Sequence, residues 1–163
     1  MTTTILPVFD YDDYIYQFIS IQSLHKLDVF YNSCCRFVLE CPTLTHHCNM
    51  YVKLGWLSLT DRRLYHWYCF VFKFLKGLVS CYLTALVNRY DTNYNLRSCD
   101  SASLVVPRVG TCLGKMSFAY RLPKTCNSFN HDIRSTFDSL SFKCFKNDLC
   151  KLFRALCKCF DPD

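Results

Sequence analysis

The segment Phe9-Asp10-Tyr11-Asp12-Asp13 is the first whose residue types could do chemistry. Paired carboxylates at a turn hold the metal ions of polymerases and so enable phosphoryl transfer. The spacing departs from that arrangement, because Asp10 rather than an aromatic residue stands two before the Asp12-Asp13 pair. That chemistry also needs a carboxylate from a neighbouring strand, and only a few residues precede this segment. The alternative is a solvated acidic helix start, where carboxylates favour the helix dipole. No catalytic residue is assigned.

Cys41, His46, His47 and Cys48 are zinc ligands by type, but weak metal candidates by spacing. No Cys-x-x-Cys occurs, and the second ligand pair of a finger is absent. No metal and no cofactor is therefore assigned. Glycines at 55, 77, 110 and 114 make no phosphate loop. Basic residues offer a different chemistry. Arg62 and Arg63, beside His66, and Lys143, Lys146, Lys151, Arg154 and Lys158 in the tail are the candidate nucleic-acid contacts. Lysine and arginine on phosphates release counterions. The alternatives are a solvated helix face over a packed apolar one, or, for the tail, an anionic membrane surface.

These residues must be positioned by helices. Leu24, Leu27, Tyr31, Cys34 and Val38 alternate spacings of three and four, the stripe of a helix packed on one face. Ser20 or Ser23 can cap its start, and Pro42 follows its end. A short helix runs from Thr45 and stops at Gly55; a longer one is capped by Thr60 and stops at Gly77. In the longer one Leu64, Trp67, Val71 and Phe74 form the expected apolar face, with Arg62, Arg63 and His66 off it. The opening Ile5–Phe18 block could be helix or strand, and Pro7 favours a helix start nearby. A short helix over 79–87 is also expected. From Tyr90 the pattern becomes loop, with short strands expected at Leu104–Val106 and Met116–Leu122. Phe142, Phe145, Leu149, Leu152 and Leu156 then define a basic amphipathic tail helix.

The predicted fold is therefore mainly α. A helical bundle-like region spans 1–89, an irregular segment with short extended or β structure around 104–122 fills 90–128, and the basic helical tail covers 129–163. Composition agrees. Of 163 residues, 51% are hydrophobic and 17% aromatic, which excludes a disordered chain, and 4 glycines leave few tight turns for a sandwich. Net charge is +6, compatible with a polyanionic partner but not extreme. Thirteen cysteines without a secretory signal point to reduced thiols, hence to an intracellular protein, cytoplasmic or nuclear and not secreted. The most apolar stretch, Trp67–Val87, is interrupted by Lys73 and Lys76, so no membrane span is expected.

Several strings, in order, resemble the region after the catalytic palm in vertebrate LINE-type (non-LTR) retrotransposon reverse transcriptases. Ile5 to Asp13 is similar to that family's Leu-Pro-x-x-Asp-Tyr-Gly-Asp segment. Leu27-Asp28, Tyr31 and Arg36-Phe37 follow, then Thr45-His46-His47-Cys48, Tyr51, Gly55-Trp56, Ser58-Leu59 and Arg62-Arg63. Tyr82-Leu83, Arg97-Ser98, Val106-Pro107-Arg108-Val109, Leu113-Gly114-Lys115, Phe118, Pro123 and Asn127 complete the series. Asp12 stands where relatives have Gly, Cys126 where a Trp commonly precedes the Asn, and the usual Pro before Tyr82-Leu83 is missing. The resemblance implies a helical thumb or connector region facing the template–primer. It places the polymerase aspartates upstream of this segment, so the chain is expected not to be an enzyme. At most it would assist RNA or DNA binding beside a parent palm. The alternatives are a domesticated protein–protein interaction module and a non-functional translated relic.

Overall fold

A computed structural model describes residues 2–11, 13, 19–89, 104–129 and 140–155. These form eight helices: α1 (Thr2–Asp10), α2 (Ile21–Leu39), α3 (His47–Leu54), α4 (Leu59–Leu75), α5 (Cys81–Ala85), α6 (Cys112–Met116), α7 (Phe118–Asn127) and α8 (Phe142–Ala155). The fold is mainly α, and the described residues contain no strand, only an isolated antiparallel bridge between Arg89 and Leu104. None of the helices is long and apolar enough to cross a membrane. The chain divides into two compact units, one of residues 1–68 with 146–163 and the other of residues 69–145.

In the first unit, α2 starts as its sequence dictates. The Ser20 hydroxyl accepts a hydrogen bond from the Ser23 N–H at 3.2 Å, satisfying one of the donors a helix start leaves over. The helix ends at Glu40, which takes the left-handed conformation (φ 50) usually left to glycine. Gly55 ends α3 the same way at φ 65, and the chain turns so that the Trp56 N–H reaches the Tyr51 carbonyl at 3.0 Å. Phe9, Tyr31, Cys35, Met50, Trp56 and Leu59 then close into one buried cluster. Tyr31 is its centre. Its ring meets Phe9 edge-on at 5.1 Å and lies 5.9 Å from Tyr51 and 6.0 Å from Trp56, while its hydroxyl donates to the Leu57 carbonyl at 2.9 Å.

The expected helix start near Pro7 is corrected: α1 begins at Thr2 and carries Pro7 inside it. Proline there forfeits one backbone hydrogen bond. The carbonyl of Pro7 still accepts from the Tyr11 N–H at 3.0 Å, and Ile5, Leu6 and Phe9 hold the helix against the core.

In the second unit, Phe72 stacks on Phe145 at 4.5 Å, and Phe118 sits edge-on to Phe70 at 5.5 Å. Leu104 is buried and pinned by Asn127. The Leu104 N–H donates to Asn127 Oδ1 at 3.0 Å, and Asn127 Nδ2 donates back to the Leu104 carbonyl at 2.8 Å. The expected Leu104–Val106 strand is reduced to that bridge, followed by an irregular run to Gly110. The expected Met116–Leu122 strand is corrected to helix, since α6 ends at Met116 and α7 begins at Phe118. Thr111 caps α6 by accepting from the Gly114 N–H at 3.1 Å, and Leu122 and Cys126 bury one turn apart on α7, a helical rather than an alternating spacing. The loop residues expected between Asn93 and Ser103 lie outside the described residues.

Candidate functional site

The candidate phosphate-binding residues of the tail sit on α8. Ser141 leads into it: its hydroxyl accepts from the Cys144 N–H at 3.3 Å and its carbonyl from the Phe145 N–H at 3.0 Å. Phe145 and Phe153 are the buried anchors of the helix. The expectation that Leu152 faces inward is corrected, because Leu152 is 56% exposed and Phe153 takes its place. At 3.6 residues per turn, Phe142, Phe145, Leu149 and Phe153 share one stripe, whereas position 152 falls about 60° to its side. Lys143, Lys146, Lys151 and Arg154 are all exposed. Lys146, Lys151 and Arg154 lie within about 140° of the helix circumference. Asp148 approaches Lys151 at 3.7 Å, with both side chains largely in water, so this pair contributes little. Arg154 is oriented by donating from Nη2 to the Gly55 carbonyl at 2.8 Å. Lys158 and Leu156 lie outside the described residues.

Arg62, Arg63 and His66 are held differently. Arg62 grips the Asp10 carboxylate with two parallel N–H donors, from Nε to Oδ1 and from Nη2 to Oδ2. Burial opposes the Arg62 charge, but the hydrogen bonds and charge of Asp10 outweigh it and hold its pKa above the ordinary value. Arg63, expected off the apolar face, is 8% exposed; Leu64, expected on it, is among the exposed hydrophobic residues. Arg63 Nη2 donates to Thr60 Oγ1 at 3.1 Å, while Nη1 is buried without a hydrogen-bond partner among the described residues. Near Arg63, burial pushes the Asp28 carboxyl up, and Arg63 and His25 partly offset this. His66 Nδ1 engages Asp13 Oδ2. Asp13 is 2% exposed and Asp10 is half-buried against Arg62, so the solvated acidic helix start expected here is corrected to a partly buried hydrogen-bonded network. Asp12 lies outside the described residues. Asp10, Asp13 and His66 bring possible metal-donor atoms within 4.8 Å of one another, but Arg62 already supplies Asp10 with a cation.

The network was missed in sequence because its halves lie 52 and 53 residues apart. A signal existed: acids three apart, matched by bases four apart on a helix, fit two facing turns. Replacing Arg62 with alanine strands the Asp10 carboxylate in a half-buried position, with side-chain exposures of 18% and 28% for the pair. The expected cost is about 2 kcal/mol, between the values for exposed and buried pairs. A double-mutant cycle with Asp10→Ala in urea unfolding checks it; an Arg62→Ala protein as stable as the wild type would remove the network from the fold's energetics.

The histidine–cysteine segment opens α3. His46 is the cap residue, its Nδ1 accepting from the Cys48 N–H at 3.4 Å. The His46 and His47 rings lie 4.3 Å apart, and His47 lies 5.7 Å from Tyr51. The ligand atoms of His46, His47 and Cys48 all fall within 4.8 Å of one another. Cys41 does not join them; it packs against the buried cluster of the first unit.

No family model, curated protein or solved structure matches the chain.

Proposed function

We propose that the chain is a non-catalytic, post-palm part of a LINE-type reverse transcriptase, and that its own contribution is to hold the phosphate backbone of RNA or DNA along α8. The observation that carries the binding role is the exposure of Lys146, Lys151 and Arg154 on a helix anchored by buried Phe153. The family assignment rests on the order and spacing of the motif strings. It makes the parent palm a second partner and implies an intracellular site of action.

The test is anisotropy of a labelled RNA–DNA hybrid duplex at several salt concentrations. Three phosphate contacts predict a log–log slope near −2.7 and an affinity loss of about 40-fold between roughly 50 and 200 mM salt. The double variant Lys146→Glu, Lys151→Glu should weaken binding at least tenfold and flatten the slope by about two. Salt-independent binding, or an unchanged variant, overturns the proposal.

A second reading, an interaction module for another protein, is favoured by one observation. Val29, Phe30 and Phe37 on α2 are exposed, Phe37 by 68%, and large exposed apolar groups mark surfaces that partners cover.

A further inference from the structure

We infer that His46, His47 and Cys48 form a three-ligand site for one thiophilic metal ion, taking copper(I) in preference to zinc(II). The proposal is independent of the nucleic-acid reading. Two imidazoles and a thiol offer the donor set such ions take, and all three ligand atoms already lie within 4.8 Å of one another. Bonds of about 2.0 Å to nitrogen and 2.3 Å to sulfur require donors somewhat closer together than that limit. The adjustment is small and local. If His46 coordinates through Nδ1, it gives up only the 3.4 Å hydrogen bond from the Cys48 N–H, a long one. The two imidazoles already lie together at the α3 entry, their ring centroids 4.3 Å apart and their planes tilted by 30°.

Metal binding is coupled to proton release. The Cys48 thiol loses its proton to solvent as the sulfur–metal bond forms.

The choice between ions follows from charge and ligand count. Three protein donors can complete a copper(I) site, whereas zinc(II) would need a water or a further ligand to fill its tetrahedron. The amino-terminal end of α3 and Arg36 make the surroundings positive. A monovalent ion with a thiolate adds no net charge there, whereas a divalent one adds a full unit.

The experiment is an anaerobic titration of the whole chain with copper(I), and separately with zinc(II), against a chromophoric chelator. Histidine ring resonances are followed by NMR. They distinguish this site from the other cysteines of the chain. The first equivalent of copper(I) should shift the His46 and His47 rings and leave His25 and His66 unmoved. His47→Ala should weaken that first event by about a hundredfold or more, since even outer-shell changes cost 10–100-fold. His46→Gln, at an exposed position, should do likewise while costing no more stability than the loss of a weak cap, and its unfolding measured without metal separates ligation from folding. A first equivalent that leaves both rings unmoved, or an unchanged affinity in His46→Gln, overturns the site. Tighter zinc binding at these rings overturns the choice of ion.

Discussion

Replacing Tyr31 with alanine is expected to lower the unfolding free energy by about 4 kcal/mol, the range of large-to-small substitutions at full burial. Tyr31 has no exposed surface, and its ring is shared among Phe9, Tyr51 and Trp56. Alanine removes that packing and leaves the Leu57 carbonyl without its donor at 2.9 Å. Tyr31→Phe keeps the ring and loses only the hydroxyl, so it should cost about 1–2 kcal/mol. The gap between the two variants measures packing alone. Urea unfolding under reducing conditions reads both. A Tyr31→Ala protein within about 1 kcal/mol of the wild type would show that α1, α2 and α3 do not close on this residue, because deleting a fully buried ring always costs more than that. A broad, non-cooperative wild-type transition would instead favour the relic reading, since small folded domains unfold in one step.

The second large effect is alkaline. Burial, reinforced by Cys34 and only partly opposed by Arg36, pushes the Cys35 thiol from 9.0 up to about 12. Burial, with Cys35 next, raises the Tyr31 phenol above its ordinary 10.0. Both groups keep their protons in the fold at pH values where the unfolded chain gives them up. The folded state then binds more protons than the unfolded one, so stability falls as pH rises. Below pH 9.0, the ordinary thiol value, the stabilisation is complete. Above it, each group that ionises only in the unfolded chain removes about 1.4 kcal/mol per pH unit. By about pH 11 the two together should cost up to about 4 kcal/mol. Unfolding midpoints taken at intervals from neutral pH upward check this. Cys35→Ala should lose stability less steeply with pH than the wild type. An identical alkaline slope in that variant would mean that the Cys35 thiol does not stay protonated in the fold.

Local features of the fold were legible and long-range ones were not. The stripe on α2 and its Ser20 cap could be read because period and cap chemistry are properties of neighbouring residues. Gly55 was equally clear, as the left-handed turn leaves few alternatives. The Met116–Leu122 segment misled because its alternation imitates a strand; the deciding features are the Thr111 cap and the four-residue interval from Leu122 to Cys126. Pro7 misled because its local preference for a first turn yielded to the burial of Phe9. The candidate sites divide in the same way. The exposure of Lys146 and Lys151 follows from the amphipathic period of α8. The withdrawal of Arg62 into a grip on Asp10 depends on a partner 52 residues away, and the matched spacing of the two acids and two bases does not by itself say that the segments meet. Arg63 is the sharper case, since its burial runs against the ordinary preference of its residue type.

The first unit is assembled from both ends of the chain, and Arg154 reaches back across 99 residues to the Gly55 carbonyl. On a ribosome the amino-terminal segment emerges first, and at about 5–20 residues per second it waits several seconds for its partner helix. During that interval Tyr68 lacks the cover of Phe153, and apolar surface destined for the interior stays open to other chains. Closing so long a loop also slows the last folding step, because distant contacts return nothing until the chain between them has been ordered. Translation that stops before residue 146 would leave this unit permanently unfinished, a substrate for chaperones and proteases rather than a smaller working protein.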